Sequence, residues 1–177
     1  MLSEAIQSHT SESKNPNVST EDIIVLETQL DDLNPQIIGY LFDRLFEVGA
    51  LDVFTQGIGM KKSRPGLLLS IICFAEAIEA CEHVIFQETT TLGIRRRQQT
   101  RSLLHRDFHP VETEYGTVSV KVASYQSGTP WINVKPEYED CARLAQQHQV
   151  SWNDVHQAAL ITWQQQYGHS NFPGDLS

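Results

Sequence analysis

The hydrophobic pattern of this chain begins at residue 23 with a β-branched run and then alternates between helical and strand-like spacing. Apolar residues three to four apart predict a helix that starts at Asn34-Pro35 and ends at Gly49. Two apolar runs on either side of the segment 59–66 predict a hairpin, which a second amphipathic helix and another strand follow. The predicted elements are strand 23–30, helix 34–49, strands 51–58 and 67–73, helix 76–87 and a strand that starts at Leu92.

This order of elements predicts an α+β fold that begins with a ferredoxin-like βαββαβ unit over residues 22–105. In such a unit both helices cover one face of a four-stranded antiparallel sheet. The polar residues 1–21 show no apolar periodicity, so we predict a disordered tail or linker there. Residues 169–177 are predicted to be a frayed C-terminus.

A smaller subdomain with a β-hairpin and two helices is predicted over residues 106–168. Pro136 is expected at the first position of one helix, and Ser151 with Asp154 forms a capping box that begins the other. The predicted elements are strands 108–113, 117–123 and 131–134, a helix up to residue 147, and a helix from residue 151.

The net charge and its distribution along the chain limit the kinds of ligand that the protein can be expected to bind. The formal net charge of −9 argues against nucleic acid as the main partner. No apolar run is long enough to cross a bilayer, which predicts a soluble cytoplasmic protein with no membrane partner. Residues 61–135 nevertheless hold ten of the thirteen Lys and Arg residues against seven acids, or +3. A basic centre in an acidic chain predicts one site for a small polyanion.

The predicted hairpin tip and the last strand of the βαββαβ unit supply most of these cations. Lys61, Lys62 and Arg64 lie between Gly59 and Gly66, where ammonium, guanidinium and backbone amide groups suit phosphate oxygens. The alternative is a solvated turn. Residues 95–101 carry four arginines, which indicate either a basic wall beside the hairpin or an edge strand that uses charge to refuse partners.

The remaining candidate chemistry fits a nucleoside triphosphate with a divalent metal. Carboxylates at Asp31 and Asp32 end the first strand, and hydroxyls follow the second helix at residues 89–91. Mg²⁺ and Mn²⁺ prefer carboxylate and phosphate oxygens. The chain contains neither GxxxxGK[ST] nor GxGxxG, so the sequence predicts a nucleotide site of another kind.

Four separate motifs resemble the C-terminal domain of the LarC family of nickel insertion proteins, over residues 22 to about 165. The motifs are Glu27-Thr28-Gln29-Leu30-Asp31-Asp32-Leu33-Asn34-Pro35, Met60-Lys61-Lys62-Ser63-Arg64-Pro65-Gly66, Glu88-Thr89-Thr90-Thr91-Leu92-Gly93-Ile94-Arg95 and Lys135-Pro136-Glu137-Tyr138-Glu139-Asp140-Cys141.

The resemblance implies a CTP-dependent cyclometallase of the lyase class. With CTP and Mn²⁺ or Mg²⁺, it places nickel, as the substrate ion, into pyridinium-3,5-bisthiocarboxylic acid mononucleotide to give the nickel-pincer cofactor. The family also implies a homo-oligomer. Carried over onto the motifs, the triphosphate candidates are Lys61, Lys62, Arg64, Thr90 and Arg95. The metal candidates are Asp31, Asp32 and Glu88, and the candidates for the rest of the nucleotide pocket are Lys135, Glu137 and Asp140.

Departures from the family pattern leave alternatives open. Gln29 and Leu33 replace the more usual Asn and Met, and we expect the His-rich N-terminal domain of the family to be absent from this chain. The chain would then either need a separate N-terminal nickel-binding chain or be an inactive remnant. A non-enzymatic module that binds a small ligand or drives oligomerisation is the competing class. Helix capping alone would account for the acids at residues 137–140.

Overall fold

A computed structural model describes residues 18–168 of the chain, which form two compact units. Unit 1 contains residues 20–101, and unit 2 contains the described residues from 102 onward together with residues 18 and 19. The predicted tails at residues 1–17 and 169–177 lie outside the described residues. Within residues 18–168, no helix is both long and apolar enough to cross a membrane.

Unit 1 has the ferredoxin-like order that the sequence predicts. Its four-stranded sheet has the strand order β2-β3-β1-β4, and β3 runs antiparallel to both β1 and β2. The α+β prediction is therefore confirmed. The elements are β1 (Ser19–Leu30), α1 (Ile37–Glu47), β2 (Ala50–Met60), β3 (Arg64–Cys73), α2 (Ile78–Glu88) and β4 (Arg95–Leu103).

Strand alternation places the core of unit 1 on one face of its sheet. Leu26 and Leu30 of β1 lie in register with Ile71 and Leu67 of β3, so all four side chains point to the same face. Both helices pack there, since residues from α1 and α2 share one buried cluster with these strands. The helix residues fully buried in this cluster are Leu41, Leu45, Cys81 and Ile85.

Two predicted boundaries of unit 1 are wrong by a few residues. The Asn34 side chain does accept the Gln36 amide (3.1 Å), but the next bonds are i to i+3 turn bonds, so α1 begins at Ile37 instead of Pro35. Strand β4 begins at Arg95 instead of Leu92. There the Thr91 hydroxyl donates to the Gly93 carbonyl (3.0 Å) and holds these residues in a loop.

Unit 2 has a three-stranded antiparallel sheet of order β5-β6-β7, one face of which is covered by two helices. The capping box is confirmed, because Ser151 and Asp154 exchange both expected hydrogen bonds. Pro136 is the last residue of β7 instead of the first of a helix, since it pairs with Val120. The elements are β5 (His105–Thr113), β6 (Gly116–Ser124), β7 (Trp131–Pro136), α3 (Tyr138–His148) and α4 (Trp152–Tyr167).

The three cysteines are free thiols in the interior of the two units. Cys73 and Cys81 lie in the core of unit 1, and Cys141 lies in the core of unit 2. Burial raises the pKa of all three thiols, and that of Cys81 rises to about 12. These residues therefore stay protonated near neutral pH and act as small hydrophobic side chains.

Candidate functional site: a cationic pocket at the hairpin tip of unit 1

The hairpin tip, residues 61–63, connects β2 to β3 at the point where Met60 pairs with Arg64. Lys61 and Lys62 lie in the tip, and both are exposed. Among the described residues, neither lysine makes an ion pair. The two ammonium groups are thus presented to solvent without a neutralising partner, which is the arrangement that an anionic ligand requires.

The backbone of the hairpin tip is held in an unusual conformation. Lys62 has φ 61° and Ser63 has φ 57°, both in the left-handed region that side chains with a Cβ rarely occupy. The neighbouring strand depends on Gly66, because a Cβ built there would lie 2.8 Å from the Leu30 backbone oxygen and would also strike Met60. Close contact between β3 and β1 therefore fixes the base of the hairpin.

A polar pocket of about 450 Å³ lies beside the hairpin tip. It brings together Lys61 of the hairpin tip and Arg95 of β4, two candidates separated by more than thirty positions in the sequence. Hydroxyl groups of Thr28 and Thr91 also line it. Its full lining is Thr28, Gln29, Gly59, Met60, Lys61, Thr91, Gly93 and Arg95.

Two threonines and a backbone carbonyl fix one wall of this polar pocket. The Thr28 and Thr91 hydroxyl oxygens are 2.5 Å apart, and the Thr28 hydroxyl lies 3.0 Å from the Gly93 carbonyl oxygen. Thr28 is buried, so β1 holds this network in place. Thr90 is the candidate predicted from the three threonines at residues 89–91, whereas Thr91 is the one that lines the pocket. Strand alternation in β1, which places Thr28 on the same face as Leu26 and Leu30, is the sequence signal that could have shown that the Thr28 side chain faces inward.

Arg64 and Arg95 lie on the same face of the unit 1 sheet. Leu67 and Leu69 of β3 point to the helices, so strand alternation sends Arg64 to the opposite face. Arg95 lies 3.9 Å from Glu27, which also faces away from the helices. The two guanidinium groups therefore lie on one side of the sheet. The triphosphate hypothesis requires this arrangement.

Two of the three predicted metal ligands, Asp31 and Asp32, already have partners in the described part of the chain. Asp31 accepts a hydrogen bond from Arg64 (3.0 Å), and Asp32 accepts a short one from Thr90. Glu88 is the last residue of α2. Within residues 18–168, no three His, Cys, Asp or Glu side chains are grouped closely enough to hold a metal ion. Their role as metal ligands, and that of Thr90 with the triphosphate, stays a prediction.

The arginines of β4 are mostly paired with acids on neighbouring elements. Arg97 donates to Glu27 (2.8 Å), Arg96 binds Glu82 of α2, and Arg101 binds Glu21 of β1. The hydrogen bond to Glu82 raises the pKa of Arg96. β4 is also an edge strand. Arg95, with its longer 3.9 Å contact, is the least engaged of the four. The acids thus offset most of the positive charge of this edge strand, and Arg95 is its only arginine that lines the polar pocket.

The three candidates in unit 2 have contacts within that unit. Glu137 pairs with Lys121 (2.6 Å), and Asp140 accepts from the Ser119 amide (3.0 Å) and from Arg143 (2.9 Å). The hydrogen bond from the Ser119 amide is the main cause of a lowered pKa of Asp140, and the hydrogen bond from Arg143 lowers it further. Lys135 is exposed and makes no ion pair among the described residues. A role for these three side chains in a nucleotide pocket stays a prediction.

The fold and the pocket define a class of protein: a ferredoxin-like α+β unit that presents two cations and several hydroxyls at one polar pocket. Comparison with known proteins is consistent with that class. The model of a family described as "Nickel insertion protein" matches residues 2–156. The chain therefore belongs to the nickel insertion protein family.

Relatives and a solved structure agree with this assignment. The chain is 60% identical over 146 residues to a "Putative nickel insertion protein" of Acaryochloris marina, and 61% identical over 145 residues to one of Gloeothece citriformis. These matches cover 82% and 81% of this chain but only 35% and 36% of the relatives. The chain thus spans about a third of their length.

The solved structure is that of LarC2, described as the C-terminal domain of a cyclometallase involved in the synthesis of the NPN cofactor of lactate racemase. It shares 39% sequence identity with this chain at a TM-score of 0.75, and the match covers 81% of this chain and 98% of LarC2. The resemblance to the LarC C-terminal domain that the four motifs indicate is therefore confirmed.

Proposed function

We propose that this chain is the CTP-binding component of a nickel insertion enzyme that metallates pyridinium-3,5-bisthiocarboxylic acid mononucleotide. The observation that carries the proposal is the meeting of Lys61 and Arg95 at one polar pocket. Family membership and the description of LarC2 as part of a cyclometallase support the reaction class. The chain spans about a third of the length of these relatives, and the complete reaction is therefore proposed for the family protein as a whole.

In this proposal the cations of the pocket bind the triphosphate. The Lys61 ammonium and the Arg95 guanidinium contact phosphate oxygens, and each charge-assisted hydrogen bond contributes about 1.5 to 3 kcal/mol. Lys62 follows Lys61 in the hairpin tip and adds positive charge there, whereas the charge of Arg64 is offset by Asp31 (3.0 Å). The Thr91 hydroxyl, already positioned by Gly93, supplies an uncharged polar contact.

The divalent ion is proposed to arrive together with the nucleotide. Mg²⁺ is usually held by one or two carboxylates together with substrate phosphates. Asp31, Asp32 and Glu88 are of the right chemical type, but the described residues form no ready-made metal cluster. Binding of Mn²⁺ should therefore depend on CTP, whose phosphates would complete the ligand set.

Calorimetric titration of the chain with CTP in the presence of Mn²⁺ tests the proposal, with ATP as the matched nucleotide. We expect saturable binding of CTP, weaker binding of ATP, and no Mn²⁺ binding when CTP is left out. If neither nucleotide binds, the proposal fails, and a non-enzymatic ligand-binding or oligomerisation module becomes the better description.

The proposal extends to two partners. A homo-oligomer of this chain is expected from the family resemblance, and light scattering of the purified chain measures its mass. An N-terminal nickel-binding segment, expected from the family resemblance, is proposed to supply the metal. Nickel transfer should appear only when that segment is added, and transfer by this chain alone would contradict the proposal.

A further inference from the structure

One cross-strand row of side chains stands out on the open face of the unit 2 sheet. Phe108 of β5 is paired with Lys121 of β6, and Lys121 is paired with Lys135 of β7. Residues directly opposite each other in a sheet point to the same face. Val122 and Val134 are the corresponding pair on the other face, which is the face packed on α3 and α4. The ring and the two lysines therefore point away from the helices.

This row is accessible and carries positive charge. Phe108 is 58% exposed, and Lys135 is exposed as well. Arg106 lies one row away on the same face, and neither Arg106 nor Lys135 makes an ion pair within residues 18–168. Phe108 is the most exposed phenylalanine among the described residues, and it lies beside cations although the chain has a net charge of −9. We call Arg106, Phe108, Lys121 and Lys135 the aromatic–cation platform.

Lys121 is held in place, whereas the outer cations are free to bind a ligand. Its ammonium lies 2.6 Å from Glu137 and 5.6 Å from the centre of the Phe108 ring. Glu137 thus offsets the charge of Lys121 but not that of Lys135 or Arg106. The second carboxylate on this face, Glu112, keeps its charge but lies two rows away from Phe108, where it accepts a hydrogen bond from Thr117 (2.7 Å). The unpaired charge on the platform is consequently positive.

The spacing of the platform selects the shape of a ligand. Neighbouring strands lie about 4.8 Å apart, so the Phe108 and Lys135 backbones are roughly 10 Å apart. A ring stacked on Phe108 would leave an anionic group on the same ligand within reach of the long Lys135 or Arg106 side chain. Planar rings stack on aromatic side chains, and Lys and Arg bind phosphate oxygens. A mononucleotide combines both groups at this spacing.

We propose that the aromatic–cation platform binds a mononucleotide, with its ring on Phe108 and its phosphate on Lys135 and Arg106. This site is formed by unit 2 alone and is separate from the polar pocket proposed for CTP. The identity of this mononucleotide rests on the proposed function: it is the organic acceptor of nickel, which is itself a mononucleotide. The platform also assigns Lys135 to a ligand other than CTP.

An amide chemical-shift titration with nicotinic acid mononucleotide tests the platform, because this probe has a pyridinium ring, a carboxylate and one phosphate. We expect saturable shifts at residues 106–108, 121 and 133–135. Phe108→Leu keeps the apolar volume but removes the ring, and should weaken binding at least fivefold. Lys135→Gln should weaken it about threefold or more. Phe86→Leu is the matched control, since Phe86 is 49% exposed on α2 and lies in unit 1.

The outcomes separate this inference from the proposed function. Lys61→Ala should weaken CTP binding and leave the mononucleotide unaffected, while Phe108→Leu should do the reverse. If the mononucleotide binds the platform but CTP does not bind the chain, only the CTP proposal fails. The inference is overturned if the probe gives no saturable shift, if the shifts lie at the polar pocket, or if Phe108→Leu behaves like Phe86→Leu. It is also overturned if Phe108→Leu and Lys135→Gln weaken CTP binding instead.

Discussion

The hairpin tip of unit 1 and the two acids Glu137 and Asp140 of unit 2 all lie in motifs shared with the family, but their charged groups have different surroundings. Lys61 and Lys62 make no ion pair in the described part of the chain. Glu137 and Asp140 instead bind Lys121 and the Ser119 amide, and so connect α3 to its own sheet. A charged residue that already has its partners stabilises the fold, and one that lacks them is available to a ligand. The predictions below test this difference.

The largest effect is expected where the hairpin meets β1. Gly66→Ala should lower the free energy of unfolding by about 1 to 3 kcal/mol, because the new Cβ would strike the Leu30 backbone oxygen. Urea denaturation followed by circular dichroism measures this. Gly57→Ala is the matched control, since a Cβ at Gly57 meets nothing within 4 Å. Equal stability of the two variants would contradict the close approach of β3 and β1.

Removing a cation of the polar pocket should affect binding more than folding. Lys61→Ala and Arg95→Ala should each weaken CTP binding at least tenfold, which is about 1.4 kcal/mol. Calorimetry gives both affinities. Arg101→Ala is the matched control, because Arg101 lies on the same strand but is paired with Glu21. Unchanged affinity in both pocket variants would show that unpaired cations at this tip do not mark the CTP site.

The carboxylate of Asp140 should show the opposite behaviour, with an effect on stability. Asp140→Asn should cost about 1 kcal/mol at neutral pH, because the Ser119 amide and Arg143 lose a charged acceptor. The folded-state pKa is lowered below the ordinary value of 3.8. The stabilisation is therefore present above that value and is lost as the pH falls through the folded pKa.

Urea denaturation of both proteins as a function of pH measures this difference. The gap in unfolding free energy between the wild type and Asp140→Asn should close in acid. A gap that stays constant down to pH 3 would show that the charge of Asp140 is not what stabilises α3 on its sheet. A loss of CTP affinity at unchanged stability would instead place Asp140 in the nucleotide site.

The fold could be predicted largely from sequence, because its determinants are local. Apolar spacing indicated the helices, the apolar runs on either side of residues 59–66 indicated the hairpin, and Ser151 with Asp154 indicated the start of α4. Two errors have different causes. Pro136 continues β7 because it pairs with Val120, a contact across the sheet that the nearby sequence does not show. Strand β4 begins late because the local hydrogen bond from Thr91 to Gly93 holds a loop before Arg95, which the apolar pattern does not reveal.

The candidate site was less predictable, because ion pairs across strands are not visible in a linear sequence. The arginine run 95–101 indicated either a basic wall beside the hairpin or a charged edge strand, and the sequence did not show that Glu21, Glu27 and Glu82 occupy most of its guanidinium groups. These acids are distant in sequence from their partners. Thr28 lies within a recognised motif, but its hydrogen bond to Thr91 joins residues that are 63 positions apart and is visible only in the structure.

The burial of the three cysteines has a practical consequence for attaching a spectroscopic label to this protein. Cys73, Cys81 and Cys141 are the only cysteines in the chain, all are inaccessible, and burial raises the pKa of each. Thiol-reactive dyes attack exposed thiolates, so the native protein should give almost no background labelling. A single cysteine introduced at an exposed position would then carry a fluorophore or spin label site-specifically, without first removing the native thiols.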